Sequence, residues 1–253
     1  MSNFLLQLLR TTAALCAFAA TGETALAQQK IGSTAAVINE VTREIAGAGG
    51  PLKAGDSVVR NEIVRTAAAS KAKLVFLDST NLIVGPGSEM TLDEFVYAGP
   101  AAPASAQRMQ AGLTRGVFRF TTGTLDKKAY LITTPIASIG VQGTVLDIDV
   151  RSALTRVTLV QGRALVCPRR PGVSFDEQRR NCERRTSCEC VELDAPGQTA
   201  EVTSAEGANH ASRSSAPVDS APICAGAGSL CAAQPYSSVA RAASFPRGAL
   251  CGH

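Results

Sequence analysis

YLITTPIASIGVQGTVLDIDV, residues Tyr130 to Val150, is the stretch from which the rest of this chain is read. It holds β-rich runs interrupted by Pro135 and then by Gly140 and Gly143. From Val145 to Val150 apolar side chains alternate with Asp147 and Asp149, the period of a half-buried strand. Proline cannot donate to a strand ladder, so the chain is expected to change partners at Pro135. The two glycines allow backbone angles or close packing that a side chain would block. The stretch therefore reads as a corner of an all-β domain, defined by Thr134, Pro135, Gly140, Gly143 and Thr144.

The flanks repeat the pattern. KAKLVFLD at 71–78 places Ala72, Leu74 and Phe76 on one face and Lys73, Val75 and Leu77 on the other. Between residues 55 and 97 short strands recur at about ten-residue spacing with turn residues at each break, as in a sandwich, barrel or solenoid. LTRGVFRFTT at 113–122 is a further strand, and TRVTLVQGRALV at 155–166 reads as two strands broken at Gly162. Residues 99–111 read as an exposed excursion rich in Ala and Pro. The expected architecture is a single twisted all-β domain, β-solenoid-like or sandwich-like, over residues 28–203. It carries a Cys- and Arg-rich hairpin insertion at 167–190. Residues 204–253 are Ala, Ser, Gly and Pro-rich and are expected to form a disordered tail, having too little apolar surface to fold alone.

Residues 1–27 read as a cleavable signal peptide. Arg10 supplies the charge, Thr11 to Ala20 the apolar run, and Ala25-Leu26-Ala27 the small-x-small site before Gln28. That run is shorter than the roughly 20 apolar residues a membrane span needs, and no other run is longer. The mature chain is expected to be exported, periplasmic or secreted, without a transmembrane anchor. A net charge of +4 over 253 residues gives no footprint for nucleic acid. Of eight cysteines, Cys16 leaves with the signal and seven remain, so one lacks a partner within the chain. An oxidising compartment favours disulfides over a thiolate metal site at Cys167, Cys182, Cys188 and Cys190. Cys167 ends one strand and Cys188–Cys190 begins the next. A hairpin would bring them together, and the pairs favoured are Cys167 with Cys190 and Cys182 with Cys188, with Cys224 and Cys231 closing a small loop and Cys251 left over.

The order of segments resembles the FecR domain, the periplasmic module of iron-dicitrate-type sensors. The matching pieces run from Gly55-Asp56 and Ile63–Thr66 through Ser70 and its strand, Asp78 with Thr80, Leu82 to Ser88, and Gly116 to Phe120. They end with Thr134-Pro135 and Ile139 to Thr144, then the closing turn Pro196-Gly197-Gln198. The likeness spans about Ile31 to Val202. Ser79 stands where the family's turn carries glycine. Membrane-bound members carry a cytoplasmic anti-sigma segment and a transmembrane helix, whereas this sequence reads as a free-standing protein of the bacterial envelope.

Chemistry-bearing residues are sparse. Asp147 and Asp149 share a face and are the acid pair that could serve catalysis or calcium, yet neighbours on one strand need not face a pocket. Asp93 and Glu94 are adjacent and read as a strand rim. Both histidines, His210 and His253, fall in the segment read as tail, away from any His-based triad or zinc centre in the fold. Gly85-Pro86-Gly87 and Gly140-x2-Gly143 lack the phosphate-loop fingerprint. Arg169, Arg170, Arg179, Arg180, Arg184 and Arg185 offer a contact surface diluted by Asp176, Glu177, Glu183 and Glu189. The expected function is a non-enzymatic binding or scaffolding module with an envelope protein or glycan as partner and no cofactor. The resemblance adds an alternative, an accessory in signalling with an outer-membrane transport receptor and sigma-factor regulation. An envelope carbohydrate-active enzyme is the remaining class.

Overall fold

The computed structural model describes residues 29–97, 103, 107–205, 207–224 and 230–231. The signal peptide at 1–27 with Cys16, most of the 99–111 excursion, Cys251 and His253 lie outside the described residues. The chain opens with β1 (Lys30–Ile38), then the hairpin of β2 (Val41–Ile45) and β3 (Ala48–Pro51). There follow β4 (Ser57–Val59), β5 (Ile63–Thr66), β6 (Lys71–Phe76), β7 (Asn81–Val84) and β8 (Glu89–Val96). Next come β9 (Arg108–Thr121), the short β10 (Tyr130–Thr133), and the paired β11 (Ala137–Arg151) and β12 (Leu154–Pro168). Helix α1 (Phe175–Glu183) precedes β13 (Val191–Leu193), β14 (Thr199–Ala205), β15 (Ala208–Ser214) and the single turn α2 (Ala221–Cys224).

Long strands shared between two layers organise this set. The first layer runs β4-β1-β6-β7, then residues 116–121 of β9, 145–150 of β11 and 154–158 of β12, then β14 and β15. The second runs β3-β2-β5-β8, then residues 108–115 of β9, β10, the 137–142 half of β11, the 164–168 half of β12, and β13. All fifteen described strands thus belong to one hydrogen-bonded network, and only β9 with β10 is parallel. Of the two architectures expected, this is the sandwich-like one: strands switch layers at bends, and both inner faces fill one core. Phe76 of one layer stacks on Phe95 of the other with centroids 5.8 Å apart, and Phe120 meets Tyr130 edge-on at 6.0 Å. The alternation read at Lys71–Phe76 is kept, Ala72, Leu74 and Phe76 being buried.

Two expectations are corrected. The breaks at Gly140/Gly143 and at Gly162 are bends inside continuous strands. Gly143 (φ +61) and Gly162 (φ +90) adopt left-handed angles at a bulge, so each strand turns without leaving its ladder. A Cβ on Gly162 would lie 2.0 Å from the Gly143 carbonyl oxygen. The structureless tail from residue 204 is the second correction. β15 pairs with β14 along its whole length, Thr199↔Ser214 to Ala205↔Ala208. Residues 215–224 then return over the first layer, where the Val218 N–H donates to Thr158 Oγ1 at 2.8 Å and Ile223 is fully buried against Gly85. Ala, Ser and Gly fit a strand packed on others, although they could not fold alone.

Candidate functional site: an insertion clamped to the corner

The corner is built on hydroxyls. Thr134 Oγ1 accepts the Ala137 N–H at 2.9 Å and pairs with Thr155 Oγ1 at 2.9 Å, which closes the turn around Pro135. Thr144 Oγ1 accepts the Gln142 N–H at 2.8 Å and donates to the Arg163 carbonyl at 2.7 Å, satisfying backbone groups that the bulge frees. A second buried knot joins Asp78, Thr80 and Tyr130. Asp78 Oδ2 accepts from Thr80 Oγ1 at 2.6 Å and from the Tyr130 hydroxyl at 2.7 Å. Burial, with the Asp78 carboxylate beside it, holds the Tyr130 phenol well above its ordinary range.

Upon this corner sits the insertion. Ser174 caps α1 through its side chain, which accepts the Glu177 N–H at 3.2 Å, and Asp176 and Glu177 complement the helix dipole. Gly140 leaves room for a ring: the Phe175 side chain lies where a Cβ on Gly140 would be, 2.4 Å from its Cζ. Arg169 Nη1 donates to the Thr134 carbonyl at 3.0 Å, and Gln178 Nε2 to the Pro168 carbonyl at 2.8 Å. From β15, Asn209 Nδ2 reaches the Arg169 carbonyl at 2.8 Å.

Cys167 is bonded to Cys190, Cys182 to Cys188, and Cys224 to Cys231. The first two bridges, with Leu165, form a small apolar cluster beneath Phe175. The sulfurs of Cys182, Cys188 and Cys190 lie within 4.8 Å of one another, a spacing that a thiolate metal site shares, but in this form each is spent on a disulfide. Of the six arginines, Arg169 is tied to the corner, Arg170 pairs with Glu189, and Arg179 is held by Asp176 at 2.8 Å. Arg180, Arg184 and Arg185 are exposed and form no ion pair among the described residues. The surface read from sequence is therefore narrower, a three-arginine ridge. Sequence reasoning missed Phe175, Gln178 and Asn209. Phe175 carried a signal, as the sole aromatic residue of the insertion.

The acid pair points elsewhere. Asp147 and Asp149 lie on the outer face of the first layer, 4% and 8% exposed. Asp147 takes a two-pronged contact from Arg119, 2.7 Å at each oxygen, and Asp149 takes Arg151 at 2.8 Å. Asp93 sits in a bulge of β8 against Gly112; burial pushes its carboxyl up, opposed by a hydrogen bond from Gln110 and by Arg169. His210 lies on β15 and lines a cleft of about 260 Å³ with Asn209, Glu189 and the bonded Cys188 and Cys190. No helix among the described residues is long and apolar enough to cross a membrane.

The family described as FecR protein matches residues 62–165. Over these residues the chain is FecR-like. The matched span holds the Asp78 knot and the Thr134–Thr144 corner and ends at Leu165, so the insertion and β13–β15 lie beyond it. Two crystal structures of a proposed anti-sigma factor from Parabacteroides distasonis are similar at 13% identity and a TM-score of 0.41. The alignment covers 60% of this chain and 59% of theirs, so the chain spans about 59% of the length of those structures. No curated protein matches.

Proposed function

We propose that this is an exported, non-catalytic envelope protein whose FecR domain binds a protein partner in FecR-type signalling. One observation carries the reading. The insertion is fixed to the corner of the domain by Phe175, Gln178, Arg169 and two disulfides, and it presents Arg180, Arg184 and Arg185 without ion-pair partners among the described residues. A rigid cationic ridge loses little conformational entropy on docking against an acidic surface. The non-catalytic part is supported by the acid pair, whose carboxylates are taken by Arg119 and Arg151. Export from residue 28 follows from the signal-peptide pattern.

The test places a photo-crosslinking residue at Ser187, beside the ridge, in otherwise native cells. A discrete protein adduct is expected, and the triple variant Arg180→Glu, Arg184→Glu, Arg185→Glu should lose it. An adduct that persists in the triple variant, or none at all, would remove the ridge as the contact surface. Osmotic-shock fractionation should find the mature chain, starting at Gln28, in the soluble envelope fraction.

A further inference from the structure

A second charged feature stands apart from the ridge. On the outer face of the second layer, a notch of about 20 Å³ opens where the loop between β9 and β10 passes α1. Its rim carries Lys127, Lys128, Gln142 and Arg179, and the Phe175 ring on Gly140 forms part of its wall. No acidic residue lines it. Asp126, next in the loop, has an oxygen turned back to accept the Lys128 N–H at 2.9 Å, and Asp176 and Glu183 hold Arg179 on the helix. Neither lysine has an ion-pair partner among the described residues. Arg163 stands across the ladder from Gln142, with its charge partly offset by Glu192 nearby.

We infer that this notch is a binding site for a dianionic phosphate monoester. The volume is enough for about one water-sized group such as a single phosphate oxygen, so the rest of the group would stay at the rim among the cations. Two lysines without ion-pair partners on one rim, with Arg179 beside them, favour a doubly charged tetrahedral group over a carboxylate. A phosphate offers several oxygens, enough to meet two lysines, the arginine and the Gln142 amide together. The framework is preorganised: the Gln142 backbone is placed by its N–H bond to Thr144, and Phe175 by the glycine beneath it. The phosphate could be free or borne on a lipid headgroup, and the chemistry at the notch is the same.

The test titrates inorganic phosphate into the full mature chain, followed by amide shifts in NMR. Saturable shifts at residues 127–128, 142 and 175–179 are expected, weakening as salt is raised. The double variant Lys127→Ala, Lys128→Ala should lower the affinity at least tenfold, while Lys53→Ala, on another face, should not change it. Vesicles of phosphatidylcholine with and without phosphatidic acid separate the two sources. Binding only with phosphatidic acid, or to free phosphate alone, each supports the site and names the source. Shifts that do not saturate, or equal affinity in the double variant, indicate an adventitious ion only and overturn it. The cross-link at the arginine ridge is read on the parent chain alongside the titration. An adduct from a parent chain that does not bind phosphate sinks the notch and leaves the partner reading intact.

Discussion

Ser79 occupies a left-handed backbone angle (φ +68) in the turn between β6 and β7. Its neighbours over-determine it: its N–H donates to the Phe76 carbonyl, and Asn81 Nδ2 donates to its carbonyl at 2.9 Å. A left-handed L-residue costs about 1–2 kcal/mol, of which glycine's extra chain entropy returns about half. Ser79→Gly should therefore stabilise the domain by about 0.5 kcal/mol, read as a raised urea midpoint at unchanged slope. A lowered midpoint would show that the serine does more than bear the angle. Glu201 gives a prediction with a pH sign. Burial pulls its pKa up, but the Ser214 hydroxyl and the Arg156 guanidinium outweigh that and hold it below the ordinary carboxylate value. A carboxylate lowered on folding contributes stability above its unfolded pKa and loses it as pH falls through the folded one. Glu201→Gln should thus cost about 0.5–1 kcal/mol at pH 7 and nearly nothing in strong acid, where the parent carboxyl is also neutral. Urea melts at the two pH values check it, and a constant difference would mean that shape, not charge, ties β14 to β12 and β15.

At the scale of elements, the insertion shows what was legible and what was not. Cysteine position relative to strand ends implied that Cys167 and Cys190 would meet, because a hairpin brings the end of one strand to the start of the next. Helix α1 was not legible: a nine-residue helix rich in charge has little periodic apolar signal, and its docking depends on one ring and one glycine 35 positions apart in the chain. Nor could composition show that Arg169, Arg170 and Arg179 would be held by the corner or by acids, since that depends on where the helix lands. The same holds for Gly140 and Gly162. They read as breaks because glycine marks both interruptions and bends, and only the partner strand decides between them. The bridge closing the insertion should matter locally first. Replacing Cys167 and Cys190 together by alanine should cost about 2–4 kcal/mol. Hydrogen exchange should speed up across residues 168–190 well before the ladder of β7 with β9. Uniform acceleration throughout would mean that the insertion is part of the cooperative core and not an appendage to it.

For the whole molecule the question is where the domain ends. Composition suggested residue 203, since the following Ala, Ser and Gly cannot form a core. The structure instead uses them as cover. β15 shields the edge of β14, and the strap of residues 215–224 returns over the first layer to bury Val218 and Ile223. Ile223 sits against Gly85, in the turn that follows β7, more than 130 residues earlier in sequence. A segment with two apolar anchors gives no periodicity to read, yet each anchor contributes about 1.5–3 kcal/mol when fully buried. A chain ending at Thr203 should therefore lose about 3–5 kcal/mol relative to one ending at Cys231, with a melting temperature lower by about 10 °C. It should also self-associate, because the unpaired edge of β14 becomes a template for another copy. Melting curves and light scattering on the two truncations decide the matter. If both melt alike and stay monomeric, the strap is ornament and the boundary belongs at 203. If they differ as expected, Ile223→Ala in the longer chain should account for the larger share of the anchor loss, since Ile223 is the more deeply buried of the two.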